Sequence, residues 1–99
     1  MYNKNDILMF LKEHKSTLKK EYNLSKIGLF GSFARDEQTE KSDIDIILEF
    51  ESKTSNIYDK KIKLEQFLIS RFNRNVDLCR EKYIKPHIKD YVLKEAIYV

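Results

Sequence analysis

The segment Asp43-Ile44-Asp45-Ile46-Ile47-Leu48-Glu49-Phe50 carries the strongest strand signal in the chain. Ile44, Ile46, Leu48 and Phe50 fall on one side of an extended backbone, and Asp43, Asp45, Ile47 and Glu49 on the other. Upstream, Lys26-Ile27-Gly28-Leu29-Phe30-Gly31 is a short apolar run ended by Gly-Ser, which suits a buried strand stopping at a turn, and a brief helical turn is expected from Ser32. Downstream, Asn75-Val76-Asp77-Leu78-Cys79 reads as a third strand. Ile7, Leu8, Leu11, Leu18 and Tyr22 recur at helical spacing over residues 5–22, with Asn3 or Asn5 available as the cap. After a polar loop at 51–56, Ile57, Ile62, Leu64, Phe67, Leu68 and Phe72 trace a second amphipathic helix. Pro86, tolerated in a first helical turn, opens a last helix that runs to about Ala96, and Ile97-Tyr98-Val99 suits a short terminal strand.

Composition bounds what such a chain can be. Its 99 residues, 41% apolar and 35% charged, are expected to form one domain over positions 1–99. Two Gly, one Pro, six Tyr and six Phe are the usage of an ordered chain, not of a linker. A domain of this size buries roughly 60–65% of its unfolded surface, so a ligand site is expected to be open or shared with a partner. The net charge of +3 comes from 19 basic and 16 acidic residues, too even a balance to imply direct nucleic-acid binding. Seven of those acids fall within residues 36–51, against the single base Lys41. The lone Cys79 cannot form an internal disulfide; apolar neighbours suggest a buried, inert thiol and a reducing compartment. The apolar run Ile7–Leu11 is too short to span a bilayer, so the chain is expected to be soluble and cytoplasmic, without a membrane partner.

The chemistry is concentrated in three carboxylates and one turn. Asp43 and Asp45 lie two residues apart on one strand face, roughly 6–7 Å apart along the backbone, within one of the most apolar segments of the chain. Charges so placed cost several kcal/mol unless a cation or hydrogen bonds compensate them. A divalent ion does so, and carboxylates with open coordination positions suit Mg²⁺, which is completed by water and phosphate oxygens. An edge strand with a solvated face would explain the pair equally well. Asp77, between Val76 and Leu78, is a third isolated acid on a strand, and the three converge if the two strands are neighbours. The alternative for Asp77 is a strand-end aspartate in solvent, or one paired to Arg74 or Arg80. Gly31-Ser32 offers small residues, exposed N–H groups and a hydroxyl of the kind that hold phosphate.

Phe30-Gly31-Ser32-Phe33-Ala34-Arg35, followed by Ser42-Asp43-Ile44-Asp45-Ile46, resembles the signature of the DNA polymerase beta-like nucleotidyltransferases, specifically their minimal nucleotidyltransferase branch. The resemblance extends over nearly the whole order of elements, and departs at Asp36, where many relatives carry Gly. It implies an α+β (mixed α/β) fold class, a small mixed sheet flanked by helices. It further implies that Asp43, Asp45 and Asp77 hold two Mg²⁺ ions, with ATP as the substrate. Gly31 and Ser32 would then grip the phosphates, with Arg35 and Ser42 as further nucleotide contacts, while Asp77 helps to deprotonate an acceptor hydroxyl. In many such relatives the acceptor is a tyrosine of a HEPN-domain ribonuclease toxin, and the nucleotidyltransferase is its antitoxin. A non-catalytic binding antitoxin and transfer to a small molecule are the alternatives; a chain this short has little material to wall an acceptor pocket.

The remaining candidates read as surface. His14 and His87 have no Cys or His partner at ligand spacing, which argues against zinc. The tyrosines are too scattered for a base-stacking platform, and the lysines of residues 12–20 and 60–63 suit solvated helix faces.

Overall fold

The computed structural model describes residues 2–99. Its elements run α1 (Lys4–Glu13), α2 (Lys15–Tyr22), β1 (Leu24–Phe30), α3 (Gly31–Ala34), β2 (Ile44–Phe50), α4 (Ile57–Phe72), β3 (Val76–Arg80), a 3-10 turn (Glu81–Tyr83), α5 (Pro86–Glu95) and β4 (Ile97–Tyr98). The strands form one mixed sheet in the order β3-β2-β1-β4. β1 pairs antiparallel with both β2 and β4, whereas β2 and β3, joined through α4, are parallel. A parallel pair needs such a crossover, because a tight hairpin can only reverse the chain.

The alternation in β2 is realised as the sequence suggests. Ile44, Ile46 and Leu48 are fully buried with Ile27 and Leu29 of β1 and Leu78 of β3 beneath Ile7, Leu11, Leu18, Leu64 and Leu68 of the helices. Ile47, on the opposite face, is buried too, between Gly28 and Cys79 in the strand register. Because β2 lies between β1 and β3, the edge-strand explanation of its acids fails.

Several expectations are corrected. The helix over residues 5–22 is two helices, broken at His14, whose backbone (φ −102°, ψ 8°) leaves helical values. His14 is half-buried there: its Nδ1 lies 3.0 Å from the Phe10 carbonyl and its ring stacks on Phe10 at 4.2 Å. The break turns α2 so that Leu18 still reaches the core. The cap of α1 is Asn3, in a reciprocal pair with Asp6. Of the apolar residues of α4, Leu64, Leu68 and Phe72 are buried, but Ile62 and Phe67 are more than a third exposed, because one sheet face covers only one stripe of the helix. Cys79 is half-buried, and burial, then the neighbouring Asp77, pushes its thiol up. Pro86 does open α5, and residues 97–98 do pair as a strand. Among the described residues no helix is long and apolar enough to cross a membrane.

A carboxylate cluster beside a glycine turn

Strand register brings the distant acids together. Phe30 pairs with Asp45, and Asp45 pairs with Asp77, so the two carboxylates stand side by side on one face of adjacent strands. Neighbouring strands are roughly 4.8 Å apart, close enough for like charges to feel each other strongly. Asp43 precedes β2 by one residue and lies two residues from Asp45. Asp45 is half-buried whereas Asp43 and Asp77 are exposed. Burial first, then Asp77 and Asp43, pushes the Asp45 carboxyl up from 3.8 to about 6; Arg35 opposes this and Glu95 adds to it.

Neither arginine considered as a partner for Asp77 is free to pair with it. Arg80 binds the Glu49 carboxylate at 2.8 Å, and Arg74 donates to backbone carbonyls of the loop before β2. The acids are thus left without a cationic side chain bonded to them, among the described residues. That donor set fits Mg²⁺: few carboxylates, water-accessible, with positions left for phosphate oxygens. Among the described residues no three candidate ligands are closed on a common point, as a structural metal cage would require. Asp45 with Asp43 or Asp77 is the arrangement that could hold an ion completed from outside the protein.

The turn supplies the other wall. Gly31 has φ +77°, and a Cβ there would collide with the Asp45 carboxylate. Glycine is therefore required twice, for its backbone and for the close approach of the acid. Its N–H donates to Glu95 Oε1 at 2.6 Å, and the same oxygen accepts from Arg35 at 2.8 Å. The Arg35 guanidinium is further tied to Glu37 at 2.7 Å. Ser32, half-buried, accepts the Glu37 N–H on its carbonyl, while its hydroxyl bonds no other described residue. The Ser42 hydroxyl accepts the Thr39 N–H at 2.8 Å and closes a turn of the loop just before Asp43.

Glu95 was not legible as a site residue. Its one signal is an acid in the last turn of a helix, where the macrodipole disfavours negative charge. Arg74 gave no signal beyond its charge. A hollow of about 450 Å³ runs past Asp43 between Lys41 and Asn75. A hollow of about 440 Å³ near Glu49 and Lys82 touches none of the candidate residues, and the site is assigned to the carboxylates on chemistry.

The profile of the nucleotidyltransferase domain family matches residues 11–99. The protein adenylyltransferase MntA of Thermococcus cleftensis is 37% identical over 94 residues, covering 95% of this chain and 93% of its own. Among solved structures, one provisionally described as a minimal nucleotidyltransferase superposes with TM-score 0.78 at 27% identity over 97% of this chain and 95% of that one. A crystal structure of a toxin–antitoxin pair with AMP-PNP contains a chain matching with TM-score 0.67 at 26% identity, over 88% of this chain and 70% of that one.

Proposed function

The chain belongs to the nucleotidyltransferase domain family, and from that premise we propose that it moves AMP from ATP, with Mg²⁺, to a tyrosine hydroxyl of a HEPN-domain toxin, acting as the antitoxin of the pair. The observation that carries this reading is the in-register pairing of Asp45 with Asp77 against the Gly31 turn. Kinship to a protein adenylyltransferase supports a protein acceptor, and likeness to a toxin–antitoxin structure holding AMP-PNP supports both the partner class and the nucleotide.

Asp43 and Asp45 would hold the ion that accompanies the triphosphate, and Asp77 would complete the site for a second. When bound, the two ions neutralise phosphate charge and stabilise the entering and leaving oxygens. The remaining work falls to the chain's own groups. With the Gly31 N–H already given to Glu95, the Ser32 hydroxyl is one donor that the turn offers to the triphosphate. Asp77, exposed beside Asp45, takes the proton from the acceptor hydroxyl. The freed oxygen attacks the α-phosphorus in line, the bond from that phosphorus to the pyrophosphate oxygen breaks, and pyrophosphate leaves. An open site orients such an acceptor only when the partner supplies the missing walls, so free alcohols are poor substrates.

The test is to incubate the chain with ATP, Mg²⁺ and a purified HEPN-domain protein encoded beside it, and to search that protein by peptide mass spectrometry. An AMP adduct on a tyrosine, lost with Asp43→Asn or Asp45→Asn, is expected. Neutralisation of the toxin without an adduct, and equally by both variants, would replace transfer with stoichiometric binding.

A further inference from the structure

We infer that Arg74 is a positioning residue for the metal-holding carboxylate Asp43, clamping the loop that delivers it to the site. This rests on the reading that Asp43 is such a ligand.

Asp43 stands outside the sheet. The N–H of Ile44 donates to the Asn75 carbonyl at 2.9 Å and begins the pairing with β3; Asp43 lies one residue before it, at the end of a nine-residue connection from α3 to β2. Nothing in a ladder holds that connection; the turn that ends it has only local bonds, from the Ser42 N–H to the Thr39 carbonyl at 3.1 Å, from the Thr39 N–H to the Ser42 hydroxyl at 2.8 Å and from the Lys41 N–H to the Thr39 hydroxyl at 3.2 Å. Arg74, which follows the left-handed Asn73 at the end of α4, reaches back across it. One terminal nitrogen lies 2.7 Å from the Ser42 carbonyl, 3.1 Å from that of Glu40 and 3.2 Å from that of Thr39. Three backbone carbonyls thus converge on one cationic nitrogen, and the shortest of these bonds is to the residue preceding Asp43. Hydrogen bonds from a charged donor are the stronger kind, and two N–H groups shared among three acceptors fix the loop's curvature as well as its position.

The same guanidinium lies over the Phe33 ring at 5.4 Å, and Phe33 is fully buried inside the Gly31–Ala34 turn. Arg74 therefore touches both halves of the site: the turn beside Asp45 and the loop that ends at Asp43. Its neighbour Asn75 accepts the first ladder bond, and Asp77 follows two residues later. A short stretch of chain sets the relative placement of all three acids. Groups that orient a metal ligand without touching the metal commonly change affinity by about 10–100-fold when removed.

The experiment compares Arg74→Met, which keeps the stem and removes every donor, with Arg74→Lys, whose ammonium restores three. Amide hydrogen exchange reads the clamp. In Arg74→Met, exchange at Ser42 and Ile44 is expected to quicken by about 10-fold or more, with Leu29 and Leu64 within about twofold of the parent and Arg74→Lys in between. Unchanged exchange at Ser42 and Ile44 would overturn the inference, and so would equal acceleration at Leu29 and Leu64, since Arg74 would then support the whole domain. Mn²⁺, titrated alone and followed by electron paramagnetic resonance, reads the site. About 10-fold weaker binding in Arg74→Met, largely recovered in Arg74→Lys, is expected. Parental Mn²⁺ affinity in Arg74→Met would overturn the positioning role. Parental affinity in Asp43→Asn would instead defeat the assignment of Asp43 as a ligand, with the exchange measurement still deciding whether Arg74 clamps the loop.

Discussion

Asp45→Asn should stabilise the metal-free protein at neutral pH. The Asp45 carboxyl is raised from 3.8 to about 6 by burial and by Asp77 and Asp43, so the fold favours its protonated form. Its ionisation therefore weakens the fold as pH rises from about 4 to about 6, and the full cost is present above that window. A shift of that size corresponds to about 3 kcal/mol as a ceiling. Asp45 is only half-buried, and solvent screening reduces the figure to about 1 kcal/mol. For a domain of this length that amounts to a rise in Tm of about 4–8 °C. Paired thermal melts of parent and variant, in chelator, at pH 7.5 and pH 4 would measure it. The gap should be present at pH 7.5 and close at pH 4, where the parent's carboxyl is itself protonated in the folded state. Comparing the two chains at each pH cancels the titration of the other acids. Saturating Mg²⁺ and ATP should then reverse the order by stabilising the parent alone. A variant that is less stable at pH 7.5, or a gap that does not change with pH, would refute the reasoning and make Asp45 a structural hydrogen-bonding residue.

Asp77→Asn should bind Mg-ATP within a few-fold of the parent by calorimetry, while single-turnover transfer falls about 10²-fold; transfer at the parental rate would remove Asp77 from the reaction. Gly31→Ala should cost about 1–3 kcal/mol and abolish transfer, because the new methyl both strains φ +77° and displaces the Asp45 carboxylate; parental melting and transfer would show that the turn can relax. Gly28→Ala places a Cβ 2.7 Å from the Ile97 carbonyl oxygen, backbone against backbone, and should detach β4 from β1. Loss of exchange protection at the Val99 N–H, which donates to the Ile27 carbonyl, would report it; retained protection would mean that the strand pair shifts as a unit.

The chain itself determines the strands, the turn and the acids. Alternation over residues 43–50 selects an extended segment with one apolar face, and the structure buries Ile44, Ile46 and Leu48 on that face. A glycine ending an apolar run marks a place where only a residue without a side chain fits, and Pro86 marks a helix start, both being local backbone constraints. What local pattern does not contain is pairing. That Asp45 faces Asp77 depends on the α4 crossover making β2 and β3 parallel and on a register that a one-residue slip would undo. The break at His14 is likewise decided by packing, since apolar spacing alone runs through it. Glu95 meets the Gly31 N–H across 64 residues, and Arg74 meets the carbonyls of residues 39–42 across 32 to 35. Such contacts leave no periodic trace because each uses one polar side chain once. Only the folded sheet, by bringing distant backbone ends to one edge, decides which charge finds which partner.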